Sequence, residues 1–293
     1  MTIASVNELR EFCLDNGINI KGIDRIPEIK TSPIYFDAGD PDGLYEAEGF
    51  LLTYAEFADG RIVPLAKVSE RYQLVQHYET VGMVLDRLVK SDFPIQEVKI
   101  SVNDDGGKSL ARVIAKDIVE IGKNDQLRPE IVVKNSCDVT QKFQITYGCM
   151  RLVCTNGMVV PDNRMQSYSL ARRHNKSTLN INEIVGKFTT SFQNLALKLE
   201  TFRSWQELPV NKDEIEKVGK EADFSEKQQE KILALPLKGF DNVTLDELIR
   251  TSKATAWTSY NAFTQFISEK IKSPIRRQEK TEKVTKTFAE ILH

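Results

Sequence analysis

The apolar residues of this chain change their period once, and that switch constrains the fold more than any other feature. Up to Val160 they recur mainly at period two, in short runs separated by turn residues. After Asn180 they recur at helical spacing. A block of strands followed by a block of helices points to an α+β protein, not to alternating βαβ units. We expect a β-rich N-terminal half with antiparallel hairpins, then an all-helical C-terminal half. A cut near residue 178 gives an α+β domain over 1–178 and a helical domain over 179–293.

The strand half opens on a short helix. Ser5 and Glu8 suit a capping box, Val6, Leu9, Phe12 and Cys13 form an apolar stripe, and Gly17 can end it. Ile26 to Gly43, broken by Pro27, Pro33, Gly39 and Pro41, reads as irregular. Asp37, Asp40, Asp42 and Gly43 resemble a calcium loop without its twelfth-position glutamate, so turn chemistry is the better reading. Phe50–Phe57 and Arg61–Val68 flank Ala58-Asp59-Gly60 as a hairpin. A helix is expected over Tyr78–Val89, with Val81, Leu85 and Leu88 on one face. Ile95–Val102 and Leu110–Ile121 flank a second turn at 103–107. Glu130–Lys134 and Lys142–Cys154 complete the strands, and Asn156-Gly157 supplies a turn.

In the helical half, Phe188, Phe192, Leu195, Leu199 and Phe202 follow a 4-3-4-3 spacing along one helix seam. Such a seam serves as core or as an oligomer contact, and homo-oligomerisation is expected from it. Asn211–Lys231 is rich in Glu and Lys and reads as solvated helix or linker. Thr244 and Glu247 cap a helix whose inner face carries Leu248, Trp257, Tyr260, Phe263 and Ile267. The final stretch keeps Val284, Phe288 and Leu292 in helical register. There is no internal repeat at 20–50 residues.

Several function classes drop out at this point. The apolar runs are too short to span a bilayer, and no secretory leader is expected from Met-Thr-Ile-Ala-Ser, so the cytoplasm is the expected location. Four cysteines without a C-x-x-C pair, and three histidines far apart in sequence, predict neither disulfides nor a metal site. No phosphate loop, nucleophile elbow, zinc-protease motif or dinucleotide fingerprint is present, so neither an enzyme nor a cofactor is expected. A net charge of −2 argues against a uniformly basic nucleic-acid binder but leaves room for a local basic patch.

One segment offers such a patch. Residues 145–176 gather Arg151, Arg164, Arg172, Arg173, His174 and Lys176 against a single acid, Asp162, with Tyr147 and Tyr168 interleaved. Guanidinium groups pair with phosphates and aromatic faces stack on unpaired bases, which suits single-stranded nucleic acid. The bland alternative is a solvated sheet edge and loop. Cys154 and His174 could in principle act as nucleophile and base, but a cysteine ending an apolar strand is more often a small buried hydrophobe. Cys137 and Cys149 are read the same way.

The run RPEIVVKNSCDVTQKF, then GCMRLVCTNG, then ARRHN, and later AWTSYNAFTQFI, resembles a family of phage- and plasmid-encoded proteins known as a domain of unknown function. The matching positions are Asn135, Ser136 and Asp138; Arg151, Val153, Cys154 and Asn156; Arg173 and His174; and Ala256 to Ile267. The similarity runs over about residues 45–270, and Val139 stands where the family often has glycine. It implies a setting in mobile genetic elements and no particular activity. Joined to the basic segment, it leads us to expect an accessory protein that binds single-stranded nucleic acid in DNA replication, recombination or annealing. The alternative is an anti-defence protein that oligomerises and inhibits a host defence complex by protein binding. A cysteine- or carboxylate-dependent nucleotide enzyme is the weakest of the three readings.

Overall fold

A computed structural model describes residues 3–39, 43–122, 125–152, 157–159, 169–172, 174, 180, 183 and 195–292. The chain is α+β, with a β-rich N-terminal half and helices through the C-terminal half. The expected cut near residue 178 lies outside the described residues. Two compact units are built from interleaved segments. The first holds Met1–Val113, Val132–Ile145 and Leu170–Thr189, and the second holds Ile114–Ile131, Thr146–Ser169 and Thr190–His293.

The first unit begins with α1 (Val6–Asp15), where Ser5 Oγ accepts from the Glu8 N–H and buries Leu9, Phe12 and Cys13 behind it. A short strand β1 (Asn19–Lys21) follows, then a 3₁₀ turn. Between them Gly22 sits at φ +81, and a Cβ there would lie 2.1 Å from the Ile100 carbonyl oxygen. Only glycine fits that approach.

The stretch expected to be irregular holds a ten-residue strand, β2 (Glu28–Asp37). Pro27 lies just outside it, and the register shifts between Pro33 and Tyr35. Proline is tolerated at a strand's start or at a bulge, so the breakers did not break this strand. Asp37 accepts from the Gly39 N–H, which is turn chemistry; Asp40 and Asp42 lie outside the described residues. β2 pairs antiparallel with β3 (Leu44–Glu56), and β3 with β4 (Ile62–Ser69), as a three-stranded sheet. The Ala58-Asp59-Gly60 turn closes with the Phe57 N–H on the Arg61 carbonyl.

Helix α2 (His77–Lys90) buries Val81, Val84, Leu85 and Leu88. The larger sheet runs β1-β5-β6-β8-β9-β10, with β7 on β8 and β11 on β9. Its strands are β5 (Ile95–Val102), β6 (Lys108–Ala115), β7 (Val119–Gly122), β8 (Asp125–Ser136), β9 (Phe143–Arg151), β10 (Gly157–Val159) and β11 (Ser169–Arg172). The single strand expected over Leu110–Ile121 is two, interrupted at Lys116-Asp117-Ile118. Aspartate and lysine disfavour a pleated, half-buried surface, and Ile118 turns outward there.

In the second unit, α3 (Leu195–Glu207), α4 (Lys212–Glu221), α5 (Glu226–Leu233), α6 (Leu245–Arg250), α7 (Ala256–Lys270) and α8 (Pro274–Ile291) follow in order. The helix expected to run on from Thr244 is two helices. Ser252 at φ +55 ends α6, and Thr255 with Thr258 forms a fresh capping box that starts α7. Each such cap is worth about 1 kcal/mol. Phe202 and Trp205 of α3 pack on Trp257 and Tyr260 of α7 and Phe288 of α8, with ring centroids 5.2–5.8 Å apart in five of the pairs. Phe202 therefore belongs to a core. Phe188 and Phe192 lie outside the described residues, and of Leu195 and Leu199 only the place on α3 is described. No helix among the described residues is long and apolar enough to cross a membrane.

Candidate functional site

The polar centre of the first unit is His77, at the first turn of α2 and fully buried. Its Nε2 lies 2.9 Å from the Gly106 carbonyl, which can only accept, so Nε2 carries the proton. Nδ1 is then an acceptor, with Ser109 Oγ at 2.9 Å and Asn135 Nδ2 at 3.0 Å. Desolvation pushes the imidazole pKa down to about 4. This ring is a neutral brace that holds the 103–107 turn, β6 and β8 to α2.

Asn135 also donates to the Val75 carbonyl at 2.9 Å. The next residues form a tight loop. Asp138 Oδ1 accepts from Ser136 Oγ and from the Thr140 N–H and hydroxyl, while Ser136 Oγ accepts from the Gln141 N–H. The Asn-Ser-x-Asp motif is thus a loop clamp. Cys137 is buried in it, and burial pushes its thiol far up, out of the reactive range. Val139 sits at φ +56 with half of its surface exposed. A β-branched residue pays strain in that left-handed conformation. Val139→Gly is expected to stabilise the protein by about 1 kcal/mol, read as a higher urea midpoint.

Beside this loop is a cavity of about 250 Å³ lined by Lys67, Ser69, Arg71, Tyr72, Val139 and His174, with Val68 at its base. Tyr72 and His174 stack with centroids 5.4 Å apart at 15°. The Tyr72 hydroxyl donates to the Ser136 carbonyl, and His174 Nδ1 lies 3.1 Å from the Gln73 carbonyl. That contact puts the His174 proton on Nδ1 and leaves Nε2 as a buried acceptor without a partner among the described residues. Burial also lowers the His174 pKa, so the ring is neutral near pH 7. Lys67 and Arg71 are exposed at the rim, and among the described residues no carboxylate lines the cavity. It is smaller than the roughly 300–1,000 Å³ typical of cofactor-sized sites, so it suits a fragment such as one base or one phosphate.

Arg151 stands elsewhere, in the second unit, and only 1% exposed. Its Nε and Nη2 donate to the two Asp125 carboxylate oxygens at 2.6 and 3.0 Å, and Nη1 donates to the Lys238 carbonyl at 3.0 Å. Trp257 Nε1 adds a third donor to Asp125 at 2.7 Å. The guanidinium also lies over the Phe240 ring, 4.6 Å from its centroid.

The expected nucleic-acid surface therefore divides. Arg151 and Tyr147 are interior residues, the first committed to an ion pair and the second fully buried. A buried arginine whose Nε, Nη1 and Nη2 each donate inside the fold cannot also clamp a phosphate. His174 lines the cavity. Arg172 is on β11, with its side chain outside the description, and Arg164, Tyr168, Arg173, Lys176 and Cys154 lie outside the described residues. The sequence reading passed over Lys67, Arg71 and Tyr72, although Lys-Val-Ser-Glu-Arg-Tyr has the same interleaving of cation and aromatic. Among the described residues, no group of three or more His, Cys, Asp or Glu is placed to hold a metal.

A family model described as Domain of unknown function (DUF932) matches residues 64–289. The chain belongs to this family. Within the DUF932 span fall the His77 brace, the Asn135–Asp138 clamp, the cavity of Tyr72 and His174, and the Asp125–Arg151 pair. The β2–β3 hairpin precedes it. No match was found among curated proteins or among solved structures.

Proposed function

We propose that this DUF932 protein is a non-enzymatic accessory protein of a phage or plasmid that binds single-stranded nucleic acid during replication, recombination or annealing. The observation that carries the reading is the cavity of Lys67, Arg71, Tyr72 and His174, where two cations stand beside a stacked aromatic pair and, among the described residues, no acid joins the lining. Arg71 and Lys67 would neutralise a backbone phosphate at the rim. The rings of Tyr72 and His174 in the cavity wall would pack against one unstacked base. Bases in a duplex are already paired and stacked on each other, so a single strand is preferred. The basic residues of 164–176 are further candidates for phosphate contacts.

The test is fluorescence anisotropy of a labelled single-stranded oligonucleotide and its duplex across a salt series. The wild type is expected to favour the single strand and to weaken steeply with salt. Lys67→Glu with Arg71→Glu is expected to weaken binding at least tenfold and to reduce the salt slope by about 1.4, some 0.7 for each lost phosphate contact. Affinity unchanged by the double reversal would remove the cavity from the interface. No affinity for either oligonucleotide at low salt would overturn the reading in favour of an anti-defence protein acting through protein binding.

A further inference from the structure

The hairpin of β2 and β3 has a composition unlike the rest of the chain. Residues 31–60 contain seven acidic residues and no lysine or arginine. The last pairing with β4 is Phe50 with Ser69, so the outer hairpin, with Tyr35 opposite Glu46 and Phe36 opposite Tyr45, is a two-stranded arm. Such a ribbon gains little stability of its own in water. It nevertheless exposes Tyr35 (54%), Phe36 (50%) and Leu44 (68%).

Cross-strand partners share a face. Phe36 and Tyr45 therefore lie on one face, their rings 6.1 Å apart, while Tyr35 and Leu44 lie on the other. At the base of the sheet the aromatic rings are already matched: Lys67 Nζ lies 3.8 Å from the Phe50 centroid, and the Arg61 guanidinium 3.8 Å from that of Phe57. Among the described residues no cation lies over Tyr35 or Phe36. β2 is also an edge strand. Gln76 covers that edge at Ile29, donating to its carbonyl and accepting from its N–H, and beyond that point β3 is the strand that pairs with it.

We infer that this arm docks an extended protein segment in which arginines alternate with apolar residues, added as a strand to the β2 edge. The carboxylates of Asp37, Glu46 and Glu48 repel nucleic acid and attract guanidinium groups. The exposed rings offer faces for the same guanidiniums and for apolar side chains. The free edge supplies main-chain hydrogen bonds, as in other strand-addition complexes. This surface is separate from the cavity of His174 and stands whether or not that cavity takes a nucleotide.

The probe is a fluorescent peptide of alternating arginine and valine, titrated with the full chain, and an oligothymidylate is run in parallel. Tyr35→Ser with Phe36→Ser keeps every charge and is expected to weaken peptide binding about tenfold while leaving oligonucleotide affinity unchanged. Glu46→Gln with Glu48→Gln keeps every ring and is expected to weaken it to a similar degree and to flatten its salt dependence. Both pairs lie at the surface, and circular dichroism confirms that each variant folds. Peptide affinity equal to wild type in both variants would overturn the inference. So would sedimentation showing a dimer that the Tyr35 and Phe36 variant loses, since the arm's occupant would then be a second copy of this chain.

Discussion

Replacing Asp125 with alanine is expected to lower the stability of the protein by about 3–5 kcal/mol, the range for breaking one side of a buried ion pair. The substitution leaves three donors of Arg151 and Trp257 facing an interior with no acceptor. The guanidinium is 2% exposed at its side chain and cannot reach water without moving α7 or the strand it stands on. Trp257 Nε1 loses its partner as well, and an orphaned buried donor alone costs about 1–3 kcal/mol. Arg151→Met in the same background removes the stranded charge and is expected to recover most of the loss, because an apolar replacement of both partners is often close to neutral. Denaturant titration followed by tryptophan fluorescence reads both variants against the wild type. A drop below about 1 kcal/mol for Asp125→Ala would mean that solvent reaches the pair, and Arg151 would return as a possible surface residue.

Arg151 also shows why a composition-based site can be partly wrong. In the sequence it stands among five other cations and two tyrosines, and nothing in one dimension says which face of a strand it takes. Its partner Asp125 is 26 residues upstream and Trp257 lies 132 residues from that aspartate, separations that periodicity cannot bridge. The features that were legible are the local ones. Ser5 as N-cap, the Asp59-Gly60 turn and the stripe of Val81, Leu85 and Leu88 are set by neighbours within about one turn and stand where their chemistry puts them, although Glu8 reaches back to the Ala4 N–H and not to that of Ser5. β2 is not legible from the number of prolines, because Pro33 sits at a bulge where its missing N–H costs little. At Val139 the expectation of a glycine-favouring position has a physical counterpart in φ +56, where glycine would be at ease. Tyr72 and His174, 102 positions apart, become neighbours only through the fold.

The second large effect is expected from pH, acting through His77. In the unfolded chain its imidazole titrates near pH 6.5, whereas burial holds it near 4 in the folded protein. Between those values the unfolded state binds a proton that the folded state does not, so stability rises with pH through this window. The contribution is fully present above pH 6.5 and is lost as pH falls toward 4, a loss of roughly 3 kcal/mol in all. His174, also lowered by burial, adds to the loss with the same sign. Carboxylates contribute in the acid range too, so the informative quantity is a difference between proteins. His77→Gln is expected to be less stable than wild type at pH 7 by about 1–3 kcal/mol, because Ser109, Asn135 and the Gly106 carbonyl lose a shared partner. Its urea midpoint should then fall less steeply between pH 7 and 4.5, so that the two proteins converge in acid. Parallel pH profiles would show that the ring charges inside the fold at little cost. The space around Gly106, Ser109 and Asn135 would then have to admit water, and His77 would be a pH-sensitive element instead of a brace.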